Sequence, residues 1–596
     1  MTRYFAIPAL TALALGSATA AAAGTDTLYS GGPIITVNDA QPQAEAVVVR
    51  NGKIAFVGTR KAATRFSPDA RAVDLQGHTL TPGFVDAHSH VSGTGLQALS
   101  ANLLPAPDGE GNSIPDLQRI MRQFYTQTAG PRGYKVLIGF GYDDSQLAER
   151  RHPTREELDA ITTQIPVILM HQSGHLGAYN SKALEVAGIT AATPDPEGGV
   201  IRREPGSRVP NGVMEENAHN LTLAKLMPTL GLDEAMAMLE AGQALYMKNG
   251  YTTAQDGNTD AGTLAMLPLA GKAGKLKIDV VSYANIDVAL SNPAMQGPYY
   301  SRQYTDHFRI GGVKITLDGS PQGKTAWLTQ PYYKVPEGQK PTYAGYPIFT
   351  DAQADDLINR AWEHGWQVLA HANGDAAIDQ FIHAVSAAEK AHPGKKLLPV
   401  LIHGQTLRKD QVPQIARLGI FPSLFPMHTY YWGDWHRESV LGPERAENIS
   451  PTRWVLDAGM KFTSHHDAPV VFPDAMRVLD ATVNRTTRSG YVLGPDQRVT
   501  PLEALKALTL WAAEQYGEQD SKGSIETGKR ADLVVLSDNP LTIAHADLHS
   551  IKVLQTIKDG EVIYDAASDT ASTSASCADN PECARRLADT GFGHHH

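Results

Sequence analysis

Thr81-Pro-Gly-Phe-Val-Asp-Ala-His-Ser-His90 is the stretch whose reading decides the fold. Pro82 and Gly83 punctuate the backbone, Phe84 and Val85 make a short apolar run, and His88 and His90 follow at a spacing of two. In a strand that spacing carries both imidazoles to one face. Two aligned neutral nitrogens at a strand end can hold Zn²⁺ or a similar divalent ion with little reorganisation. His-x-His pairs also arise by chance on solvated strands, so a metal site needs further ligands from elsewhere in the chain.

Working outward, this strand is the first of eight apolar runs that alternate with helical patterns. They fall at 83–87, 251–255, 278–283, 310–317, 366–370, 398–402, 419–424 and 461–465. Eight such units predict a parallel α/β architecture, a (β/α)₈ TIM-like barrel, whose functional residues gather at the carboxyl ends of the strands. His88 and His90 close the first run, Lys314 lies in the fourth, His371 ends the fifth, His403 the sixth and Asp467 the eighth. Residues 91 to about 235, rich in Gly and Pro, form an insertion after the first strand, expected to act as a lid that shapes a substrate pocket.

Residues 25–80 read as short strands, with Asn51-Gly52 as a hairpin turn. The segments Gly523–Leu536 and Ile551–Tyr564, with Asp559-Gly560 between strands, have the same character. Neither end buries enough apolar surface alone, so the two are expected to join in one small β-sandwich. The resulting organisation is a leader at 1–23, sandwich at 24–81 and 523–566, barrel at 82–522, and a flexible tail at 567–596.

The 596 residues exceed one ordinary domain, and 42% hydrophobic with 19% charged residues is a globular composition. A formal net charge of -11 argues against nucleic-acid or anionic-membrane partners and for a small-molecule substrate. Arg3, the apolar run from Phe5 to about Leu15 and the small residues of Gly16–Gly24 read as a cleavable secretory signal, cut between Ala20 and Gly24. A soluble, periplasmic or secreted protein is expected. The only cysteines, Cys577 and Cys583, sit in the tail, where an oxidising compartment would let them close a small loop. The terminal His594 to His596 are set aside as a tag remnant.

The segments PGFVDAHSH, GGVKITLDGS, LAHANGDAAID, LIHGQ, SHHDAPV and GSIETGKRADLVVL, in that order, resemble the amidohydrolase superfamily and within it the YtcJ-like (amidohydrolase type 3) branch. GFGYDD, HLGAYNSKAL, TPDPEGG and NGVMEENA in the insertion resemble the same branch, and the likeness runs from about residue 25 to 565. It implies a metal centre held by His88, His90, Lys314, His371, His403 and Asp467. Lys314 matches a position that in many relatives is carbamylated and bridges two metal ions; a single ion beside an unmodified lysine is the alternative. A carbamate supplies anionic oxygens where an ammonium would be repelled by the metal.

The implied chemistry follows from charge. A divalent cation lowers the pKa of bound water from about 15.7 toward roughly 7. Asp467 can take the water's proton and pass it to the departing amine, while His403 polarises the carbonyl. His175 in the insertion, near Asn180, is a candidate substrate contact. Asp318 and His466 are expected behind the ligands; His465 and His466 point to opposite faces, so only one can approach the metals. His428 and Trp432, in an aromatic cluster after the seventh strand, are candidates for an apolar wall of the pocket.

These readings predict an exported metal-dependent hydrolase of an amide or other C–N bond, N-acyl or N-formyl, in a partly hydrophobic small molecule. An esterase or lactonase on the same scaffold shares the water-activating machinery. A silent periplasmic binding or regulatory protein would be marked by lost ligand positions, and all six are present. Related barrels often pair as homodimers, although no segment of the sequence marks an interface.

Overall fold

A computed structural model of the chain describes residues 26–129, 135–227, 231–336 and 338–569. The leader, Cys577, Cys583 and the tail beyond Asp569 lie outside the described residues.

The eight expected strands form one parallel sheet in chain order: β1 (Phe84–Val85), β2 (Tyr251–Thr259), β3 (Asp279–Asn285), β4 (Phe308–Thr316), β5 (Gln367–Ala372), β6 (Val400–His403), β7 (Phe421–Leu424) and β8 (Thr463–Ser464). Helices pack outside the sheet, so its strands are apolar on both faces, as in Val280–Val281 and Leu401–Ile402, all fully buried. The helix Asp351–His364 shows how the sequence fixes a crossover. Thr350 and Gln353 cap each other in a capping box, and Gly365, at φ 74°, stops the helix and turns the chain into β5. The two ends of the sheet meet at the mouth, where the Asp467 N–H donates to the His88 carbonyl at 3.2 Å and the His90 N–H to that of Ala468 at 2.8 Å.

β1 and β8 are shorter than the runs 83–87 and 461–465 suggest. After Val85 the buried Asp86 carboxylate accepts the backbone N–H groups of His88 (3.1 Å) and Gln255 (2.9 Å), together with the Ser89 hydroxyl, and so curls the chain out of the ladder. His88 and His90 therefore stand in a turn just past β1 rather than on one face of it. Their rings still lie 5.2 Å apart.

Both chain ends enter a second sheet, in the order Glu561–Asp565, Val553–Lys558, Leu533–Leu536, Thr79–Pro82, Thr27–Ile35, Gln43–Arg50 and Lys53–Gly58, with Arg71–Asp74 also paired to Thr27–Ile35. The ends join where Leu533–Leu536 runs antiparallel to Thr79–Pro82. Asn51 (φ 50°) with Gly52 (φ 74°), and Asp559 (φ 49°) with Gly560 (φ 81°), make the two expected left-handed turns. Beneath the barrel, Asp279 at the start of β3 accepts from Lys522 Nζ at 2.7 Å and Lys558 Nζ at 2.9 Å, tying this sheet to the barrel.

The insertion is more than a lid loop. It carries its own six-stranded sheet, ordered Gly199–Arg203, Pro210–Glu216, Leu176–Tyr179, Val167–His171, Leu137–Tyr142 and Ala101–Asn102. Two apolar clusters flank that sheet, one around Leu103, Leu137 and Leu169, the other around Ile168, Leu184 and Met214. Of its strands only Leu137–Tyr142 and Val167–His171 coincide with clear apolar runs of the sequence.

Candidate metal centre at the barrel mouth

The strand ends bring all six expected ligands together. Asp467 Oδ1 lies 3.4 Å from His88 Nε2 and 3.3 Å from His90 Nε2, and Asp467 Oδ2 lies 3.9 Å from His403 Nε2. Lys314 Nζ is 2.9 Å from His88 Nε2, and His403 Nε2 is 3.1 Å from His371 Nδ1. His90 is the most exposed of the set, with 31% of its side chain accessible; the others are buried.

Their neighbours decide which nitrogen each ring offers. Gln255 donates its amide N–H to the Ala87 carbonyl, so its Oε1 is left to accept His88 Nδ1–H at 2.6 Å, and His88 Nε2 keeps its lone pair. His371 Nε2 lies 3.2 Å from the Gly319 carbonyl and 3.0 Å from the Asn373 amide nitrogen, and its Nδ1 faces His403. Burial holds His88, His371 and His403 well below the ordinary imidazole range, with the nearby cationic Lys314 and neighbouring rings acting in the same direction. All three are neutral near pH 7, the state a metal ligand needs. Burial also pulls Lys314 down to about 8, against the opposing pull of Asp467. Gly257 on β2 is required here, because a Cβ on it would come 2.7 Å from the His88 ring.

The other expected site residues divide. His175 lines the same cavity, of about 630 Å³, as His90, Lys314, His371, His403 and Asp467. Asp318 lies behind His371, 3.6 Å from Nε2, where it accepts the N–H groups of Trp327, Asn373 and Gly374. Burial pushes its carboxyl up to about 7 despite those three donors. Of the adjacent pair, His465 and not His466 approaches the ligands. His465 Nε2 is 3.1 Å from His403 Nδ1, whereas His466 turns away onto Asp86 at 3.4 Å and packs against Tyr246 and Tyr251. The two rings thus lie on opposite sides of the chain, His465 beside the ligands and His466 behind them on the Asp86 that holds the His88 N–H.

His428 and Trp432 do not line the cavity. His428 stacks between Phe425, Trp432 and His436, and the Trp432 indole N–H donates to the Asp143 carboxylate of the insertion. These aromatic residues fasten the insertion to the barrel. Gln255, His465 and Glu216 act through partners far away in the chain, which no local pattern reveals, and Asp86, beside His88, holds Gln255 as well.

A family model described as the amidohydrolase family matches residues 71–564. The chain belongs to the amidohydrolase family. It is accordingly a metal-dependent hydrolase acting on carbon–nitrogen bonds other than peptide bonds. This amidohydrolase is 30% identical over 548 residues to the N-substituted formamide deformylase of Arthrobacter pascens, covering 89% of this chain and 96% of that protein. It is 28% identical over 552 residues to YtcJ, an amidohydrolase by name, from Bacillus subtilis (strain 168), covering 90% and 99%. Among solved structures, an uncharacterized metal-dependent hydrolase from Pyrococcus horikoshii OT3 superposes with a TM-score of 0.69 at 23% identity, over 88% of this chain and 99% of that one.

The donor set of this amidohydrolase fits a divalent cation. One atom each of His88, His90 and Asp467 lies within 4.8 Å of the others, and Asp467 Oδ1 is buried with no hydrogen-bond partner. An uncompensated buried carboxylate oxygen is costly unless a cation neutralises it. A second group, Asp143, Asp144 and His171, lies in the insertion. There His171 Nε2 reaches Asp144 at 3.1 Å and Asp143 at 3.6 Å; although burial lowers it, the two carboxylates raise its pKa to about 9. In that group the imidazole is set between the two carboxylates.

Proposed function

We propose that this amidohydrolase removes an N-formyl or similar small N-acyl group from a partly hydrophobic amine. The observation that carries the reading is the convergence of six strand-end ligands in a chain that aligns along nearly its whole length with an N-substituted formamide deformylase. The cavity supports it, with Phe140, Met170, Ile286 and Phe349 forming an apolar flank beside the ligands. A small acyl group sits at the ligands and the apolar substituent of the nitrogen extends along this flank.

His88, His90, His371, His403, Asp467 and a carbamylated Lys314 would hold zinc, as one ion or two. Cations bound there supply Lewis acidity that makes hydroxide available near neutral pH. Asp467, whose Oδ1 has no other partner, accepts the proton of the attacking water. His403, neutral and with its two ring nitrogens turned to His371 and His465, would serve as one of the cation's ligands. The leader directs this chemistry to the periplasm or the medium.

The test is release of formate from a series of N-alkyl and N-aryl formamides by the purified chain, beside lactones and phosphotriesters. Turnover of the formamides is expected. Exclusive action on lactones or phosphotriesters would show that the wrong bond has been chosen.

A further inference from the structure

We infer that His175, positioned by Glu216, is a catalytic residue of the insertion that touches the departing nitrogen and gives it a proton. The inference rests on the amide-hydrolase reading above and adds to it a residue pair outside the barrel.

The pair stands at the end of a ladder. Leu176 pairs with Glu215 across the insertion sheet, so His175 and Glu216 are the next residues to face each other. His175 Nδ1 lies 2.7 Å from Glu216 Oε2, and the Glu216 N–H donates to the His175 carbonyl at 2.7 Å, which locks the two by side chain and backbone together. The His175 N–H is also bound, to Ser173 Oγ at 3.2 Å. A carboxylate accepts from Nδ1–H, so the proton that His175 gives is the Nε2–H of its imidazolium form, on the nitrogen left for the cavity. The ring lies 5.4 Å from that of His371.

Two features of Glu216 point beyond a structural role. Its backbone stands at φ 48°, ψ -122°, a conformation that L-residues avoid and that persists where function requires it. Its second oxygen, Oε1, is buried without a hydrogen-bond partner, and a Cβ on Gly319 would come 2.6 Å from it. Gly319 is the residue whose carbonyl lies 3.2 Å from His371 Nε2. The carboxylate is thus wedged against the ligand shell, and the pair, carried by the insertion, lines the cavity beside His371.

Hydrolysis needs three services: attack at carbon, stabilisation of oxygen and protonation of nitrogen. Asp467, His403 and Lys314 serve the first two from the barrel side. In the step assigned here the water oxygen bonds to the acyl carbon, the carbon–nitrogen bond breaks, and His175 gives one proton to nitrogen, which leaves as a neutral amine. Asp467 holds the proton taken from water, and its return to His175 through solvent resets both groups.

The experiment compares wild type with His175→Gln, Glu216→Gln and Glu216→Asp, all metal-loaded, on an N-alkylformamide and on p-nitrophenyl formate. The aryloxide leaves without help, so only the amide needs the proton. His175→Gln is expected to lose about 10²- to 10⁴-fold in kcat on the amide, and no more than a few-fold on the ester. Glu216→Gln should lose about 10- to 100-fold with the same selectivity, and Glu216→Asp should recover part of it. Equal losses on both esters and amides, or loss of bound metal in the variants, would overturn the assignment. A wild-type chain that turned over the ester but no amide would instead overturn the amide reading and the proposal with it.

Discussion

Asp467 and His403 occupy the left-handed region, at φ 55° and φ 72°, where residues other than Gly seldom sit. Each such residue costs about 1–3 kcal/mol and persists only where its surroundings over-determine it. For Asp467 the closing hydrogen bonds from Asp467 to His88 and from His90 to Ala468 do so. Lys314 offers a pH test at the same scale. Burial depresses its pKa to about 8, so the uncharged amine that can form a carbamate accumulates as pH rises to that value. On the proposed carbamylation of Lys314, recovery of activity after decarbamylation, at fixed dissolved CO₂ and metal, should speed up about tenfold per pH unit and level off above about pH 8. A rate still climbing tenfold per unit at pH 9.5 would mean an ordinary lysine. Gln255→Leu removes the acceptor that fixes the His88 tautomer and should weaken metal binding about 10- to 100-fold by equilibrium titration; unchanged affinity would refute that role. The candidate ligands were legible in the sequence because five of them end or closely follow an apolar run and Lys314 lies within one. Gln255 and Glu216 were not, since their partners lie 167 and 41 residues away.

At the scale of elements, the eight barrel strands announced themselves as buried apolar runs, and the hairpin turns as Asn-Gly and Asp-Gly. The insertion did not, because its sheet is built from short strands whose partners are set by tertiary contact. The same limit explains the aromatic cluster after β7. Its composition suggested a pocket wall, whereas hydrogen bonds turn it toward the insertion: Trp432 to Asp143, and Tyr431 to Asp108. Trp432→Phe keeps the ring and deletes the indole N–H, leaving a buried carboxylate short of a donor. It should cost about 1–3 kcal/mol in denaturant unfolding and leave KM for the substrate within about twofold. A KM raised tenfold with no loss of stability would return Trp432 to the pocket.

At the scale of the whole molecule, the two chain ends meet under the barrel and the ligands meet above it. Asp279 holds the lower junction between Lys522 and Lys558, all three buried. Burial alone would raise the Asp279 pKa, but the two ammonium groups hold it well below the carboxylate range. A depressed carboxyl contributes stability above its unfolded pKa of about 4 and loses it on acidification below that value. Asp279→Asn leaves two buried ammonium groups short of a partner and should cost about 3–5 kcal/mol, seen as an apparent melting temperature lower by several degrees at pH 7. An unshifted midpoint would contradict this role.

The central claim is that distant strand ends meet to hold a cation that the reaction needs. Elemental analysis of the purified chain, before and after chelation and alongside His88→Asn and Asp467→Asn, tests it most directly. The prediction is at least one divalent ion per wild-type chain, removed together with activity by the chelator, restored with it, and depleted in both variants. Less than one ion per chain, with activity untouched by chelation, would contradict the account.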